Sequence, residues 1–205
     1  MHIITLLNED LEQRNILASH FDITDQAVKK ASSFIDLDFL SKLQNELLRE
    51  TIVRCLLCSK ERNCCNEVAV ITTETRLGTE YGSKHGVNFA GNLNITSILN
   101  HKNNETIIMC HNHPSTQSFS LQDISFFYKH RTIDLFVVVS NLGEVELLYR
   151  DFLDMNKLQR EDNLFDSLND LRFKLRHDFN DISKMYKVSK EAVKLYKNLG
   201  YYRRL

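Results

Sequence analysis

The amino-acid sequence predicts an α/β (α+β) fold in which a mixed β-sheet is flanked by helices, with helical extensions at both ends of the chain. Short runs rich in β-branched residues are concentrated in residues 67–150, whereas residues 1 to about 60 and 151–205 show helical patterns. Two of the runs, IIMC and LFVVV, are almost continuously apolar, which is typical of central strands covered on both faces. Helices are therefore expected on both flanks of the sheet.

The amino-terminal part of the chain is predicted to be a helical extension over residues 1–54. The segment FIDLDFLSKLQNELLRETIVRCLLC, residues 34–58, places apolar residues at spacings of three and four, the period of one helix face. A central domain is predicted over residues 55–150, and a helical, densely charged extension over residues 151–205. The chain has one proline and six glycines, so no flexible linker is evident between these parts.

Four strands are predicted in the central domain, with the sequences EVAVITT, ETIIMC, IDLFVVVS and EVELLYR. The last two flank Asn141-Leu142-Gly143, which is typical of a hairpin turn. Between the second and third strands, SLQDISFFYKHRT predicts a helix. The segment between the first two strands, residues 76–104, is interpreted as a long loop.

Composition excludes several functional classes. The 205 residues are 42% hydrophobic and 26% charged, which is ordinary for a soluble globular protein with a buried core. The net charge of −1 provides no global attraction to nucleic acid or to an anionic membrane. No basic region precedes the first apolar run, and no stretch approaches the ~20 apolar residues that cross a bilayer. We therefore expect a cytoplasmic protein without membrane contact.

Five cysteines are present, and without a secretory signal they are expected to be reduced thiols. Cys55 and Cys58 form a C-x-x-C pair, a spacing found in zinc sites and redox motifs. The pair lies in a helical, apolar segment, so we favour packing over metal binding. Adding Cys64 and Cys65 does not change this interpretation, because zinc modules built on adjacent cysteines are uncommon.

The stretch MCHNHPSTQSFSLQDI, residues 109–124, contains the candidate functional residues. Side chains alternate along a strand, so His111 and His113 are predicted to point to one side and Cys110 to the other. Pro114 cannot donate to a sheet, so the strand ends there. Two imidazoles that converge in this way are suited to zinc. Asn112, between them, is expected to support the turn.

Ser120 and Asp123 allow two interpretations. Ser-x-x-Asp before an apolar run resembles a capping box, with Ser120 as the N-cap and Asp123 as the third helical residue. Phe119 and Ile124 would then form the accompanying hydrophobic staple. Alternatively, Asp123 supplies a third zinc ligand, because open zinc sites use three protein ligands and one of them is often a carboxylate.

His111-x-His113-Pro114, followed by Ser120-x-x-Asp123, resembles the motif of the JAMM (MPN+) zinc metallopeptidases. HNHPS in particular is similar to the RadC-like, phage-associated JAB branch of that family. The resemblance implies a cytidine-deaminase-like mixed sheet and a Zn2+ ion held by His111, His113 and Asp123. It also implies that Ser120 stabilises the tetrahedral intermediate. Six residues separate His113 from Ser120, one fewer than in the family motif, which affects the placement of Ser120 most.

The resemblance further implies a catalytic glutamate on an earlier strand, which orients and deprotonates the zinc-bound water. Glu67 opens the run EVAVITT, 44 residues before His111, and fits in spacing and context. Glu74 and Glu80 are alternatives, late in that strand or in the following loop. The implied reaction is hydrolysis of a peptide or isopeptide bond in a protein or peptide substrate, such as a ubiquitin-like conjugate. Residues 76–104 and both helical ends are expected to set specificity.

The carboxyl-terminal segment is basic: residues 183–205 contain seven lysines and arginines and one acidic residue, Glu191. Its pattern resembles a helix-turn-helix, with Val188-Ser189 as the turn and Ser189 capping the second helix. It is also similar to the tail of ImmA/IrrE-type metalloproteases. A helical hairpin packed on the core, with a solvated basic face, is the interpretation that we favour. An alternative to the peptidase is accordingly a non-catalytic MPN-type interaction module, or a DNA-associated, RadC-like module, that uses these helices to bind nucleic acid.

Overall fold

The structure is a computed structural model, and it describes residues 19–84, 86–89, 91–100, 105–150, 159–160, 162–163, 166 and 182–205. The helical predictions for residues 1–18 and for most of residues 151–181 fall outside these ranges. No helix among the described residues combines the length and the apolar character that a bilayer span requires.

Within the described part of the chain, six strands form one mixed sheet that five named helices flank, which confirms the predicted α/β class. The strands are β1 Val68–Thr72, β2 Leu77–Tyr81, β3 Ile108–His113, β4 Leu135–Ser140, β5 Val145–Tyr149 and β6 Tyr202–Arg204. The helices are α1 Asp25–Ala31, α2 Lys42–Arg62, α3 Leu93–Asn100, α4 Leu121–Lys129 and α5 Ile182–Asn198.

The strand order is β2-β1-β3-β4-β5-β6, and only β3 and β4 are parallel neighbours. Helix α4 makes the crossover between these two parallel strands, as their common direction requires. Strands β4 and β5 form a hairpin through the predicted turn, in which the Gly143 N–H donates to the Ser140 carbonyl at 2.8 Å. Gly143 has a φ of +80°, and a Cβ there would lie 2.3 Å from the Ala27 carbonyl oxygen, so glycine is required.

Two elements in the predicted 76–104 loop, β2 and α3, were missed, and so was β6. Strand β2 is an edge strand in which only Gly78 is buried, so no apolar run marks it. Strand β6 is also an edge strand, and two of its three residues are exposed arginines. Edge strands lack the continuous apolar signal that identified β1, β3 and β4, whose residues are all buried.

The sheet separates two hydrophobic clusters, one against each helical layer. On one face, side chains of β1, β3 and β4 pack against α3, α4 and α5; the cluster includes Ala69, Ile71, Met109, Phe136, Val138, Ile95, Ile98, Ile124, Phe127, Ala192, Val193 and Tyr196. On the other face the same strands pack against α1 and α2; this cluster includes Val68, Val70, Ile108, Cys110, Leu135, Val137, Ala31, Leu48, Ile52, Cys55 and Leu56. We name these the α4 face and the α2 face.

Helix α2 begins at Ser41 with a complete capping box. The Ser41 hydroxyl accepts from the Gln44 N–H at 3.2 Å, and the Gln44 side chain accepts from the Ser41 N–H at 2.8 Å. The helix then runs without interruption to Arg62, across the position where the sequence was divided into an extension and a domain. That division stays a prediction.

The helix-turn-helix turn expected at Val188-Ser189 is wrong, because one helix, α5, runs from Ile182 to Asn198. No glycine or proline interrupts this range. Val188, Ala192 and Tyr196 are spaced by four and are buried, so they form one continuous apolar face. Ser189 lies inside the helix, where its hydroxyl accepts from the Leu121 N–H at 3.0 Å. Helix α5 therefore packs on the core instead of turning away from it.

Leucines at two positions of α2 provide a test of the α2 face. Leu48 is fully buried, whereas 61% of the Leu43 surface is exposed. We expect Leu48→Ala to lower the free energy of unfolding by about 2–5 kcal/mol, because it removes packed methyl groups and leaves a cavity. Leu43→Ala, on the same helix, should change it by less than about 0.5 kcal/mol. Urea unfolding measures both; equal effects would contradict the described packing.

Candidate metal centre

The two histidines lie at the carboxyl end of β3 and point to the α4 face. Both are buried, with 6% of each residue's surface exposed. The ring of His111 stacks on Phe136 of β4 at a centroid distance of 5.3 Å. Cys110 packs in the cluster on the α2 face, which confirms that it points away from the histidines. The strand period thus places two imidazoles side by side in a largely apolar setting.

Helix α4 begins directly beside the histidines, at Ser120. The Ser120 hydroxyl accepts from the Asp123 N–H at 3.1 Å, and the Asp123 carboxylate accepts from the Ser120 N–H at 2.6 Å through Oδ2. Phe119 and Ile124 are both buried in the cluster on the α4 face. The predicted capping box is therefore confirmed, and the two residues predicted to form its staple are in place.

The same Asp123 side chain also meets the histidines. Its Oδ1 lies 3.1 Å from His111 Nε2, and its Oδ2 lies 3.6 Å from His113 Nε2. The two Nε2 atoms are 3.0 Å apart. Capping and metal-ligand geometry therefore coexist in one carboxylate, and the two interpretations of Asp123 do not compete.

The three side chains fit a zinc ion in chemistry and in spacing. Each offers a ligand atom, and these atoms all lie within 4.8 Å of one another. Two imidazole nitrogens and one carboxylate oxygen are ligands that zinc accepts in catalytic sites. Tetrahedral ligands with bond lengths of about 2.0–2.2 Å stand about 3.3–3.6 Å apart. The Nε2–Nε2 distance of 3.0 Å and the distance of 3.1 Å from His111 Nε2 to Asp123 Oδ1 are close to this range.

The loop between β3 and α4 orients one of the imidazoles. His113 donates from Nδ1 to the Gln117 carbonyl oxygen at 2.8 Å. Because that carbonyl can only accept, the proton of a neutral His113 ring lies on Nδ1, and the lone pair of Nε2 faces the cluster. A backbone carbonyl in this position is the usual partner that fixes the tautomer of a metal-binding histidine.

Glu67 lines the same cavity as His111, His113 and Asp123. It immediately precedes β1, and three hydrogen bonds hold its backbone. Its N–H donates to the Ser83 carbonyl at 3.1 Å, and its carbonyl accepts from the Gly82 N–H and from the Asn63 side chain, each at 2.8 Å. Burial raises the pKa of the Glu67 carboxyl to about 7; the charge of His113 opposes this rise and that of Asp123 adds to it.

The alternative glutamates lie elsewhere. Glu74 is exposed beyond the end of β1 and accepts from the Thr106 N–H at 3.0 Å. Glu80, on β2, accepts from the Asn92 side chain at 2.7 Å. Neither is among the described residues that line the cavity. Of the three glutamates considered from the sequence, only Glu67 is brought to the histidines.

The electrostatics of the cluster keep Asp123 ionised. Burial alone would raise the pKa of the Asp123 carboxyl. The positive charge of His111 and its hydrogen bond lower this pKa, and so do the charge of His113 and a side-chain hydrogen bond from Ser120. Together these interactions hold the pKa well below its ordinary value. Neither lysine nor arginine occurs among the described residues that line the cavity. A divalent cation there would favour the ionised form of both carboxyls.

Asn112, between the two histidines, is the centre of a buried hydrogen-bond network, whereas the sequence suggested only that it supports the turn. It is fully buried on the α2 face, and its Oδ1 accepts from the Val68 N–H at 2.7 Å. Its Nδ2 lies within hydrogen-bond distance of Ser59 Oγ, Asn66 O and Asn141 Oδ1, at 3.1, 3.2 and 2.8 Å. The alternation of β3 contained the necessary signal, because a polar residue on a face covered by a helix must find buried partners.

The cysteines form no comparable cluster. Within the described residues, the group of His111, His113 and Asp123 is the only set of three or more histidines, cysteines, aspartates or glutamates spaced for a metal ion. All five cysteines are free thiols, as expected. Cys55 is buried in the α2-face cluster and Cys58 packs against that cluster, which supports packing for this C-x-x-C pair.

Comparison with known proteins adds no assignment: no protein-family model, no curated protein and no solved structure matched the chain. The resemblance to the JAMM family therefore rests on the sequence motif.

The hydrogen-bond network around Asn112 can be tested by measuring how a substitution changes the free energy of unfolding. Asn112→Ala removes the partner of the buried Val68 N–H and of the Asn141 side-chain oxygen, and each such group costs about 1–3 kcal/mol. We expect the free energy of unfolding to fall by at least about 2 kcal/mol in urea denaturation. Asn94→Ala, at an exposed position of α3, should change it by less than about 0.5 kcal/mol. An Asn112→Ala protein as stable as the wild type would contradict this role of Asn112.

Proposed function

We propose that this chain is a zinc-dependent metallopeptidase of the JAMM kind, which hydrolyses an amide bond in a peptide or isopeptide-linked protein substrate. The observation that carries the proposal is the convergence of His111, His113 and Asp123 in one cavity with Glu67. Three protein ligands are the number used by catalytic zinc sites, whereas structural sites close the fourth position with protein. A mixed sheet with the cluster at the end of a central strand is compatible with an MPN/JAB-like fold.

The residues that would hold the ion are His111 and His113, through Nε2, and Asp123, through a carboxylate oxygen. When bound, zinc supplies Lewis acidity that polarises a carbonyl group and lowers the pKa of water to about 7. The buried, partly apolar surroundings strengthen electrostatic interactions relative to bulk water.

Glu67 is assigned the proton transfers. A general base must lie within reach of the proton that it takes, and Glu67 lines the cavity together with the three candidate ligands. Its carboxylate accepts a proton from water in the cavity as the water oxygen bonds to the substrate carbonyl carbon. The same proton is then donated to the amine nitrogen as the carbon–nitrogen bond breaks, which completes the hydrolysis.

Ser120 is assigned a hydrogen bond to the substrate carbonyl oxygen as negative charge develops on it. Ser120 lines the cavity, and its oxygen accepts the capping bond from the Asp123 N–H. A hydroxyl has two acceptor lone pairs and one donor, so the O–H that now bonds the Asp123 carboxylate would turn to the substrate oxygen while the capping bond is kept. The shortened loop after His113 is thus compatible with this role, because Ser120 still reaches the cavity.

Metal binding is best tested with Asp123→Asn. The amide oxygen can still accept from the Ser120 N–H, so the cap is retained, but the negative charge that attracts a cation is lost. We expect about one zinc ion per wild-type chain by elemental analysis, and an affinity at least about tenfold lower for the variant by competitive chelation. Asp25→Asn removes an exposed carboxylate from α1 and should bind zinc like the wild type. If Asp123→Asn bound one zinc ion per chain as tightly as the wild type, Asp123 would not be a zinc ligand.

The role of Glu67 is tested with Glu67→Gln, which keeps the shape of the side chain and removes its basicity. We expect zinc content to be unchanged and cleavage of a peptide library and of isopeptide-linked ubiquitin-like conjugates to fall by about 10²–10⁴-fold. Glu80→Gln and Glu74→Gln are matched controls that should cleave like the wild type. Full activity in Glu67→Gln would refute its role. Zinc binding with no cleavage of either substrate by the wild type would favour the non-catalytic interaction module.

A further inference from the structure

The cavity that holds the metal-ligand cluster also has an apolar end. Its polar end contains Glu67 and the three ligand-type residues. Its apolar end is lined by Val87, Phe89, Met109, Phe126 and Phe136. The cavity has a volume of about 480 Å³, within the ~300–1,000 Å³ that is typical of sites for small ligands or substrate side chains.

A row of aromatic rings connects the two ends. The His111 ring stacks on Phe136 with centroids 5.3 Å apart, Phe136 lies 5.9 Å from Phe126, and Phe126 lies 5.3 Å from Phe89. Phe136 is held from the core side by the buried rings of Phe119 and Phe127, at 5.6 and 5.7 Å. The apolar wall therefore starts at a candidate ligand and is fixed by the core beneath it.

The other side of the apolar end comes from residues 86–89, and the carbonyl groups of the first and the last of these residues each accept a backbone hydrogen bond. The Ser83 N–H donates to the Gly86 carbonyl at 3.0 Å, and the Asn92 N–H donates to the Phe89 carbonyl at 3.0 Å. A Cβ on Gly82 would lie 2.3 Å from the Gly86 carbonyl oxygen, so this close approach requires glycine. Val87 and Phe89 are thereby presented to the cavity by a constrained backbone.

Val87, Phe89 and Phe126 remain partly exposed although they pack against the core, so apolar surface faces the cavity. Covering such surface is worth about 25 cal/mol per Å². The described lining contains neither lysine nor arginine, so it offers an acidic side chain no such cationic partner. We propose that the cavity binds a large apolar side chain, of the phenylalanine or leucine class, on the residue next to the hydrolysed amide bond. The proposal rests on the proposed hydrolase function for the position of that bond.

Cleavage specificity is the first test. The zinc-loaded wild-type chain is incubated with a proteome-derived peptide library, and the cut sites are mapped by mass spectrometry. We expect phenylalanine, leucine, methionine or isoleucine to be enriched at one position adjacent to the cut. Cleavage without apolar enrichment would overturn the subsite and leave the hydrolase function standing.

Binding without turnover is the second test, and it keeps the two proposals separate. N-acetyl-phenylalanine amide and N-acetyl-glycine amide are titrated into the full-length Glu67→Gln chain by NMR. We expect the phenylalanine compound to bind at least about tenfold more tightly. Equal affinities would overturn the subsite, whereas this preference without library cleavage by the wild type would overturn the hydrolase function only.

Variants of Phe89 test whether the preference for the phenylalanine compound arises from the row of aromatic rings. Phe89→Ala should bring the two affinities to within about threefold of each other, because it removes apolar surface at the far end of the row. Phe89→Leu keeps a large apolar side chain and should largely restore the preference. Phe39→Ala removes a ring that stacks on Tyr149, outside the cavity lining, and should behave like the parent chain. An unchanged preference in Phe89→Ala would contradict the assigned position.

Discussion

The end of strand β3 carries polar side chains that are buried on both faces of the sheet. The surrounding structure has to supply hydrogen-bond partners for them. Buried polar groups are costly unless each finds a partner. On the α4 face, His111 and His113 meet Asp123, and His113 also meets the Gln117 carbonyl. On the α2 face, the Asn112 side chain lies within hydrogen-bond distance of groups from α2, from the residues at the start of β1 and from the turn after β4. One strand end therefore organises a candidate metal centre on one side and a structural hub on the other.

Asp123 connects helix formation with the candidate chemistry. Its backbone and side chain close the capping box with Ser120, an interaction worth about 1 kcal/mol in comparable caps. Oδ1 of the same carboxylate faces His111. Because the cap restricts the rotation of this side chain, it holds the carboxylate toward the histidines. This preorganisation is what a precise metal site requires of the residues around it.

Helix α5, in the carboxyl-terminal segment, contacts α4, the helix that carries Asp123. The Ser189 hydroxyl accepts from the N–H of Leu121, the first residue of α4, and so satisfies a donor that the helix itself leaves free. The ring of Tyr196 lies 6.1 Å from that of Phe127 in the core. Exposed lysines of α5 lie on its outer side, which agrees with the solvated basic face that we favoured from the sequence, although the described residues form one helix there and not the expected hairpin. The structure thus uses α5 to hold the helix that carries Asp123.

The sequence by itself determined what depends on neighbouring residues: the buried strands β1, β3 and β4, the common side of His111 and His113, and the cap of α4. These follow from the two-residue strand period and from short-range capping rules. It did not reveal β2 or β6, because edge strands lack an apolar run, and it placed a turn at Ser189 where a helix continues. Only the tertiary structure decided that Glu67 shares the cavity, that Asp123 meets both histidines, and that Asn112 joins distant segments. Each of these depends on contacts between residues far apart in the chain, which local periodicity does not encode.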